Sequence, residues 1–503
     1  MLSLLAYAQV CHEPTQGKVM GIFSTRHLWS SAVISAALLA GCTTSNNSPV
    51  PAATATAKNV IFFLGDGMGT NMITAARIYS VGEAGTLTMD TLPELAWVRT
   101  YSNDAQVTDS APSMSAYMTG VKMNNEVLSM SPDTKAYDAA NKPFFSGADS
   151  TCPAAGNGAA VATILEISKA AGRSVGAVTT TRITHATPAA TFAHLCHRDG
   201  ENAIAAQTVP GGAGYNSALG DGVDVLFGGG KKHFIPTTIA GGARTDGRNL
   251  MTELTGKGYS VVTDKTGFDA IPATATKAVG LFTSSHMSFE LDRNPANEPS
   301  LSEMATKAVS ILQKNPKGYF LMVEGGRIDH AEHNTNMARA LADTLAFDNA
   351  IKDTLDLVKK TDPTLSNTLI IVTADHDHTL TLNGYAKRTG ATSATNAGIL
   401  GLVKNVVTGS AEKDAEGVPY TILGFGNGEN RVAGARNTAA ALDDITTSGK
   451  EYHQEAAVRT AAGSETHGGT DVSAMAVGVG AENLHGFINN TEIFPLLRNT
   501  SGL

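Results

Sequence analysis

The chain has 503 residues, 42% of them hydrophobic and 6% aromatic, enough to bury one large core or two moderate ones. Its formal net charge is -9 and no long basic run offsets it, which excludes an electrostatic footprint for nucleic acid.

Arg26 and His27 precede an almost continuously apolar stretch from Leu28 to Ala40, followed at once by Gly41 and Cys42. This is the plan of a signal peptide over residues 1–41, with Met20 a more typical start than Met1. The apolar stretch is shorter than the roughly 20 residues of a spanning helix, so a cleaved leader is expected rather than a permanent anchor. Leu39-Ala40-Gly41-Cys42 resembles a bacterial lipoprotein box, which implies lipidation of Cys42 and a periplasmic, membrane-tethered protein. Residues 42–57, made of Thr, Ser, Asn, Pro and Ala without an apolar period, read as a flexible tether. Cys152 and Cys196 are the two cysteines of the mature body. Export permits a disulfide between them, and a pair of buried thiols is the alternative.

From Lys58 onward, short apolar runs alternate with helical periodicities. Val60 to Leu64 is an unbroken apolar run stopped by Gly65, as in a strand covered on both faces. Similar runs fall at 174–179, 223–227, 319–323, 368–372 and 472–477, with helical stretches at 159–171, 301–313 and 336–360. The alternation predicts an α/β domain over 58–503, a mostly parallel central sheet with helices on both faces. Ligands of such sheets gather beyond the carboxyl ends of the strands. Roughly 384–465 is rich in Gly, Ala, Thr, Asn and Ser and breaks the rhythm, which predicts an inserted surface subdomain.

The residues able to do chemistry fall where those strands end. Asp66 stands in Gly65-Asp66-Gly67-Met68-Gly69; the glycines allow close backbone approach, and the missing third glycine position argues against a dinucleotide fingerprint. Asp109-Ser110-Ala111 precedes a helix opening at Pro112-Ser113, where a hydroxyl would meet free N–H groups and a partial positive charge. Serine is also a common helix cap, so this segment alone is weak. Glu324 through His333 is more specific. Asp329 and His333, four apart on a helix, share a face and aim at one cation, while Glu324 ends the preceding strand. Asp375-His376 follows another buried strand, with His378 two residues beyond, and His467 precedes the last strand.

With these motifs in order, and with Asp224-Val225-Leu226-Phe227-Gly228-Gly229-Gly230-Lys231-Lys232, the chain from about Asn59 to Leu497 resembles an alkaline phosphatase. The resemblance implies that Ser110 is phosphorylated and that Arg198 grips phosphate through two parallel hydrogen bonds. It also implies two zinc ions and one magnesium. Asp329, His333 and His467 would hold the first zinc, and Asp66, Asp375 and His376 a second that also contacts Ser110. Asp66, Thr187 and Glu324 would hold the third cation. His185 and His330 stand near that third site, where some members carry Asp and Lys and others His. Imidazole favours zinc over magnesium, so a less magnesium-selective site is expected, possible zinc occupancy included. Small phosphate monoesters are the implied substrates and a homodimer the implied assembly.

Two other readings were weighed. A sulfatase or phosphodiesterase of the same superfamily is the nearer one; a sulfatase wants Cys or Ser followed by x-Pro-x-Arg, and Met114 stands where that arginine belongs. A phosphate-scavenging or metal-storage lipoprotein would have no need of an intact nucleophile beside nine metal-contacting side chains.

Overall fold

A computed structural model describes residues 56–144, 152–153, 157–438 and 442–503. The leader, Cys42 and nearly all of the tether lie outside these residues. A ten-stranded sheet organises the domain. Its first eight strands in the chain are β1 (Asn59–Gly65), β2 (Glu94–Arg99), β3 (Ser174–Arg182), β4 (Val225–Gly229), β5 (Ser260–Val262), β6 (Ala278–Leu281), β7 (Tyr319–Gly325) and β8 (Thr368–Ala374). Strands Val472–Gly478 and Gly486–Asn489 complete it. The spatial order is Gly486–Asn489, β2, Val472–Gly478, β8, β1, β7, β3, β4, β6, β5. From β8 to β5 every neighbouring pair is parallel, and Val472–Gly478 runs antiparallel to both β8 and β2.

The expected α/β sheet is therefore present, and the unbroken apolar runs are its central strands. Every residue of β7 and β8 is buried, because helices cover both faces and leave no solvated side on which polar residues could alternate. Leu301–Leu312 and Met337–Lys359 are two of these helices, each opened by a side chain that accepts from a backbone N–H of the first turn, Ser300 and Asn336. The stretch expected to be helical over 159–171 narrows to Ile164–Ala170, because Thr163 and Glu166 form a reciprocal capping box that sets the start. Phe63 of β1 meets Phe347 of the long helix edge to face at 5.9 Å, anchoring the centre of the sheet.

Register fixes what the strand ends present. Gly65 pairs with Gly325 and with Ala374, and Thr179 pairs with Glu324. Four adjacent parallel strands, β8, β1, β7 and β3, thus deliver Asp375, Asp66, Glu324 and the 181–187 turn to one edge.

Within 384–465, Leu423–Gly428 and Ala456–Arg459 pair with Leu380–Leu382 in a three-stranded sheet separate from the central one. Cys152 and Cys196 are joined as a disulfide, with their Cα atoms 5.8 Å apart. Closing a loop of 44 residues restricts the unfolded chain by about 4 kcal/mol in the chain-entropy description. Replacing both cysteines by serine is expected to lower the unfolding free energy by about 2–4 kcal/mol in denaturant titrations, with far-UV circular dichroism unchanged; an unchanged midpoint contradicts this.

Candidate active site

Ser110 is the first residue of helix Ser110–Thr119, two residues earlier than the sequence suggested. Asp109 caps this helix by accepting from Ala111 N at 2.7 Å, which brings the Ser110 hydroxyl to the mouth of the helix. Ser110 Oγ lies 3.3 Å from His376 Nε2. His376 Nε2 is in turn 3.3 Å from Asp66 Oδ1 and 3.4 Å from Asp375 Oδ2. Asp375 Oδ1 is held by Gly67 N and His376 N, both at 3.0 Å, so its other oxygen is left to face the site. Gly67 is required here: its φ is +69°, and a Cβ would come within 2.5 Å of the His378 ring.

A second group converges on Asp329 Oδ1, which lies 3.2 Å from His333 Nε2, 3.4 Å from His467 Nε2 and 2.9 Å from His378 Nε2. Asp329 and His333 share helix Arg327–His333, so the four-residue spacing does place both on one face. Glu324 accepts from Thr179 and Thr181, the latter at 3.2 Å, and Thr187 Oγ1 donates to Asp66 Oδ2 at 3.4 Å. Arg198 donates from Nη1 to Asp109 Oδ1 at 2.9 Å and from Nη2 to His185 Nε2 at 3.1 Å, so it stands beside the residue that caps the Ser110 helix. All nine expected metal-contacting side chains thus lie at one edge of the sheet.

The polarity of this cluster tests whether cations fit it. His333, His376 and His467 each donate Nδ1–H to a backbone carbonyl, of Glu465, Asp377 and Thr108 respectively. When neutral, such a ring turns a bare Nε2 lone pair toward the carboxylates, and when protonated it donates to them from the same nitrogen, as His333 and His467 do to Asp329 without a cation. Asp66 Oδ1, Asp375 Oδ2 and Glu324 Oε1 are buried without any hydrogen-bond partner. Lone pairs facing lone pairs in a buried space call for divalent cations, and carboxylate with imidazole is a donor set suited to zinc.

The "Alkaline phosphatase" family model matches residues 57–503. The chain belongs to the alkaline phosphatase family. An alkaline phosphatase of Gadus morhua is 37% identical over 459 residues, spanning 86% of this chain and 88% of its own. The tissue-nonspecific alkaline phosphatase of Homo sapiens is 36% identical over 462 residues, spanning 86% and 81%. The Thermus thermophilus alkaline phosphatase structure is similar at TM-score 0.62 and 25% identity, covering 90% of this chain and 93% of that one. The fold is also that of the enzyme from the Antarctic bacterium TAB5, at TM-score 0.60 and 24% identity, covering 89% and 99%.

Against the family's expected ligand sets, the geometry adds residues that the sequence reading left out or undervalued. His376 lies within reach of both Asp66 with Asp375 and Asp329 with His467, so it stands between the two groups. His378 is closer in than its placement beyond the ligands suggested, bonded to Asp329 on one side and to Glu465 Oε2 at 2.5 Å on the other. Glu465 was visible only as the residue before Thr466-His467, and its role comes entirely from the short pairing of 467–468 with 377–378. Asp109 acts as the cap of the Ser110 helix and the partner of Arg198, and His286 carries no signal in the sequence.

Electrostatics fit a site built for countercharge in this phosphatase family. Burial, with Asp375, Asp329 and Glu324 adding to it, holds Asp66 well above the ordinary carboxylate range. Burial likewise pushes Asp375 up to about 6 and Glu324 up to about 7. Asp329 goes the other way: burial opposes ionisation, but His333 and the hydrogen bonds from three imidazoles outweigh it. Since Asp375 and Glu324 hold protons below their raised values, an incoming cation must displace those protons. Affinity therefore climbs as pH rises through 6 to 7 and is lost below that window. Calorimetric zinc titration of metal-free protein is expected to show net proton release and weakened binding at the acid end; affinity flat across the window contradicts this.

Proposed function

We propose that the chain hydrolyses phosphate monoesters through a phosphoserine at Ser110, releasing an alcohol and inorganic phosphate. The observation that carries this is the Ser110 hydroxyl at a helix mouth, 3.3 Å from His376 and on the Arg198 side of the carboxylate cluster. Asp329, His333 and His467 would hold one zinc, Asp66, Asp375 and His376 with Ser110 a second, and Asp66, Thr187 and Glu324 a magnesium. Bound there, the cations supply Lewis-acid stabilisation and lower the pKa of an oxygen nucleophile. The sulfatase alternative is disfavoured by Met114, and both it and a diesterase by the family to which the chain belongs.

Ser110 Oγ gives up its proton to solvent and attacks phosphorus, forming a P–O bond as the ester P–O bond breaks, and the departing alkoxide takes up a proton from solvent. Water then attacks the phosphoserine, restoring the hydroxyl and freeing phosphate. Arg198, held by Asp109 from one side, is placed to donate two N–H bonds to equatorial oxygens whose charge grows in both steps. His376 and Asp109 orient the hydroxyl and its helix, and a lowered oxygen pKa in the loaded site would take the place of a separate histidine base. Ser110→Ala is expected to lower kcat for p-nitrophenyl phosphate by about 10³-fold or more with metal content kept, and chelation to abolish turnover of the unmodified protein. Sulfate-ester or diester turnover exceeding that of the monoester would reverse the assignment.

The third cation site carries the remaining metal question. A variant of the TAB5 enzyme is described with Mg bound in its M3 site. In this chain His185 and His330 stand near Thr187 and Glu324, and we propose that the site accepts zinc as well as magnesium when either ring turns from the arginine that now occupies its lone pair. Protein dialysed against both ions is expected to carry more than two zinc ions per chain on average; two zinc and one magnesium throughout contradicts this.

We also propose export to the periplasm, tethering through lipid on Cys42 and homodimer formation, supported by the leader, the 39–42 box and the family. Among the described residues no helix is long and apolar enough to cross a membrane.

A further inference from the structure

Three imidazoles stand beside the cation site and outside every ligand set named above. The ring centroids of His185, His286 and His330 are 5.1, 5.3 and 4.2 Å apart pairwise, and one nitrogen of each lies within 4.8 Å of the others. A three-histidine group first suggests a metal, but its hydrogen bonding says otherwise. Arg198 Nη2 bonds His185 Nε2, Arg182 bonds His286 Nε2, and Arg327 Nη1 bonds His330 Nδ1 at 3.0 Å. A guanidinium has no acceptor, so each of these ring nitrogens must be the acceptor. The other nitrogen of each neutral ring then carries the hydrogen. This is the reverse of His333, His376 and His467, whose N–H groups are occupied by carbonyls.

Each ring thus carries one N–H, at His185 Nδ1, His286 Nδ1 and His330 Nε2, with a guanidinium bonded to its opposite nitrogen. His185 Nδ1, His286 Nδ1 and Arg327 Nε are buried with no hydrogen-bond partner, although His185, His286 and His330 are only partly buried as whole residues. Arg182 is paired with Glu201 at 2.7 Å and Arg198 with Asp109 at 2.9 Å. Arg327 makes no ion pair among the described residues; it stacks on Phe289 at 3.8 Å and feels Asp343, Asp329 and Glu298 without direct contact. A dication here would face the three guanidiniums at close range with no carboxylate inside the group, whereas an oxyanion would meet unused donors and an uncompensated charge.

We propose that His185, His286 and His330, with Arg182 and Arg327, form a second oxyanion subsite that takes the second phosphoryl group of a bisphosphate substrate. It rests on the phosphatase reading and adds a substrate preference: the first phosphoryl group goes to Ser110 and Arg198. The second is held one side chain away, because Arg198 itself bonds His185. His286 is the diagnostic residue, since it belongs to no ligand set.

The test compares ethane-, propane- and butanediol bisphosphates with propyl phosphate, by kcat/KM, and the matching non-hydrolysable phosphonates by calorimetry. Unmodified protein is expected to favour the best bisphosphate about tenfold, and His286→Ala to remove that preference while leaving propyl phosphate within about twofold. His286→Gln, which keeps an N–H donor, is expected to retain most of it. An equal bisphosphate-to-monophosphate ratio in unmodified protein and His286→Ala overturns the subsite, as does loss of one metal ion per chain in His286→Ala. Absence of any propyl phosphate turnover by unmodified protein overturns instead the phosphatase reading.

Discussion

Buried like charge is the constraint on which the rest depends. Strands β8, β1 and β7 end in register, and each end carries a carboxylate, Asp375, Asp66 or Glu324, whose solvent is replaced by protein. In a medium of low effective dielectric these groups repel one another strongly and cannot all ionise unless positive charge enters. The sheet is stabilised elsewhere, by fully apolar strands and by contacts such as Phe63 against Phe347, and that stability holds the carboxylates together. Glu332 shows the same economy in another form: it is fully buried with neither oxygen bonded, and burial holds its carboxyl well above the usual range.

Histidine serves two opposite purposes a few ångströms apart, and the bond on the far side of each ring decides which. Where a backbone carbonyl accepts Nδ1–H, as for His333, His376 and His467, the ring offers a lone pair and suits a cation. Where a guanidinium donates to the ring, as for His185, His286 and His330, the ring offers a hydrogen and suits an anion. Arg198 joins the two regions, bonded to Asp109 beside Ser110 and to His185 in the outer group. The two polarities are separated in space, bare lone pairs beside the carboxylates and N–H groups beside the guanidiniums.

Much of this was legible in the chain itself. Strands β1, β7 and β8 announce themselves because burial on both faces removes polar alternation, and the Asp329 and His333 pair because helical spacing puts them on one face. The misses have physical causes too. Strand β2 alternates buried and partly exposed residues, and β5, β6 and Gly486–Asn489 are only three or four residues long, so none forms an apolar run. His286 lies in an irregular turn with no periodic signal. Glu465 acquires its partner His378 only through the pairing of two-residue strands distant in sequence.

The sequence by itself determined the sheet's central strands, the residue types of the cation cluster and the position of the serine, since each follows from local pattern and side-chain chemistry. Tertiary structure alone decided which imidazole nitrogen is bare and which carries hydrogen, that His378 bonds Asp329 and Glu465, and that three arginines face three histidines. Those outcomes depend on hydrogen-bond partners brought from dozens to hundreds of residues away, and no local spacing encodes the direction in which such a bond is donated.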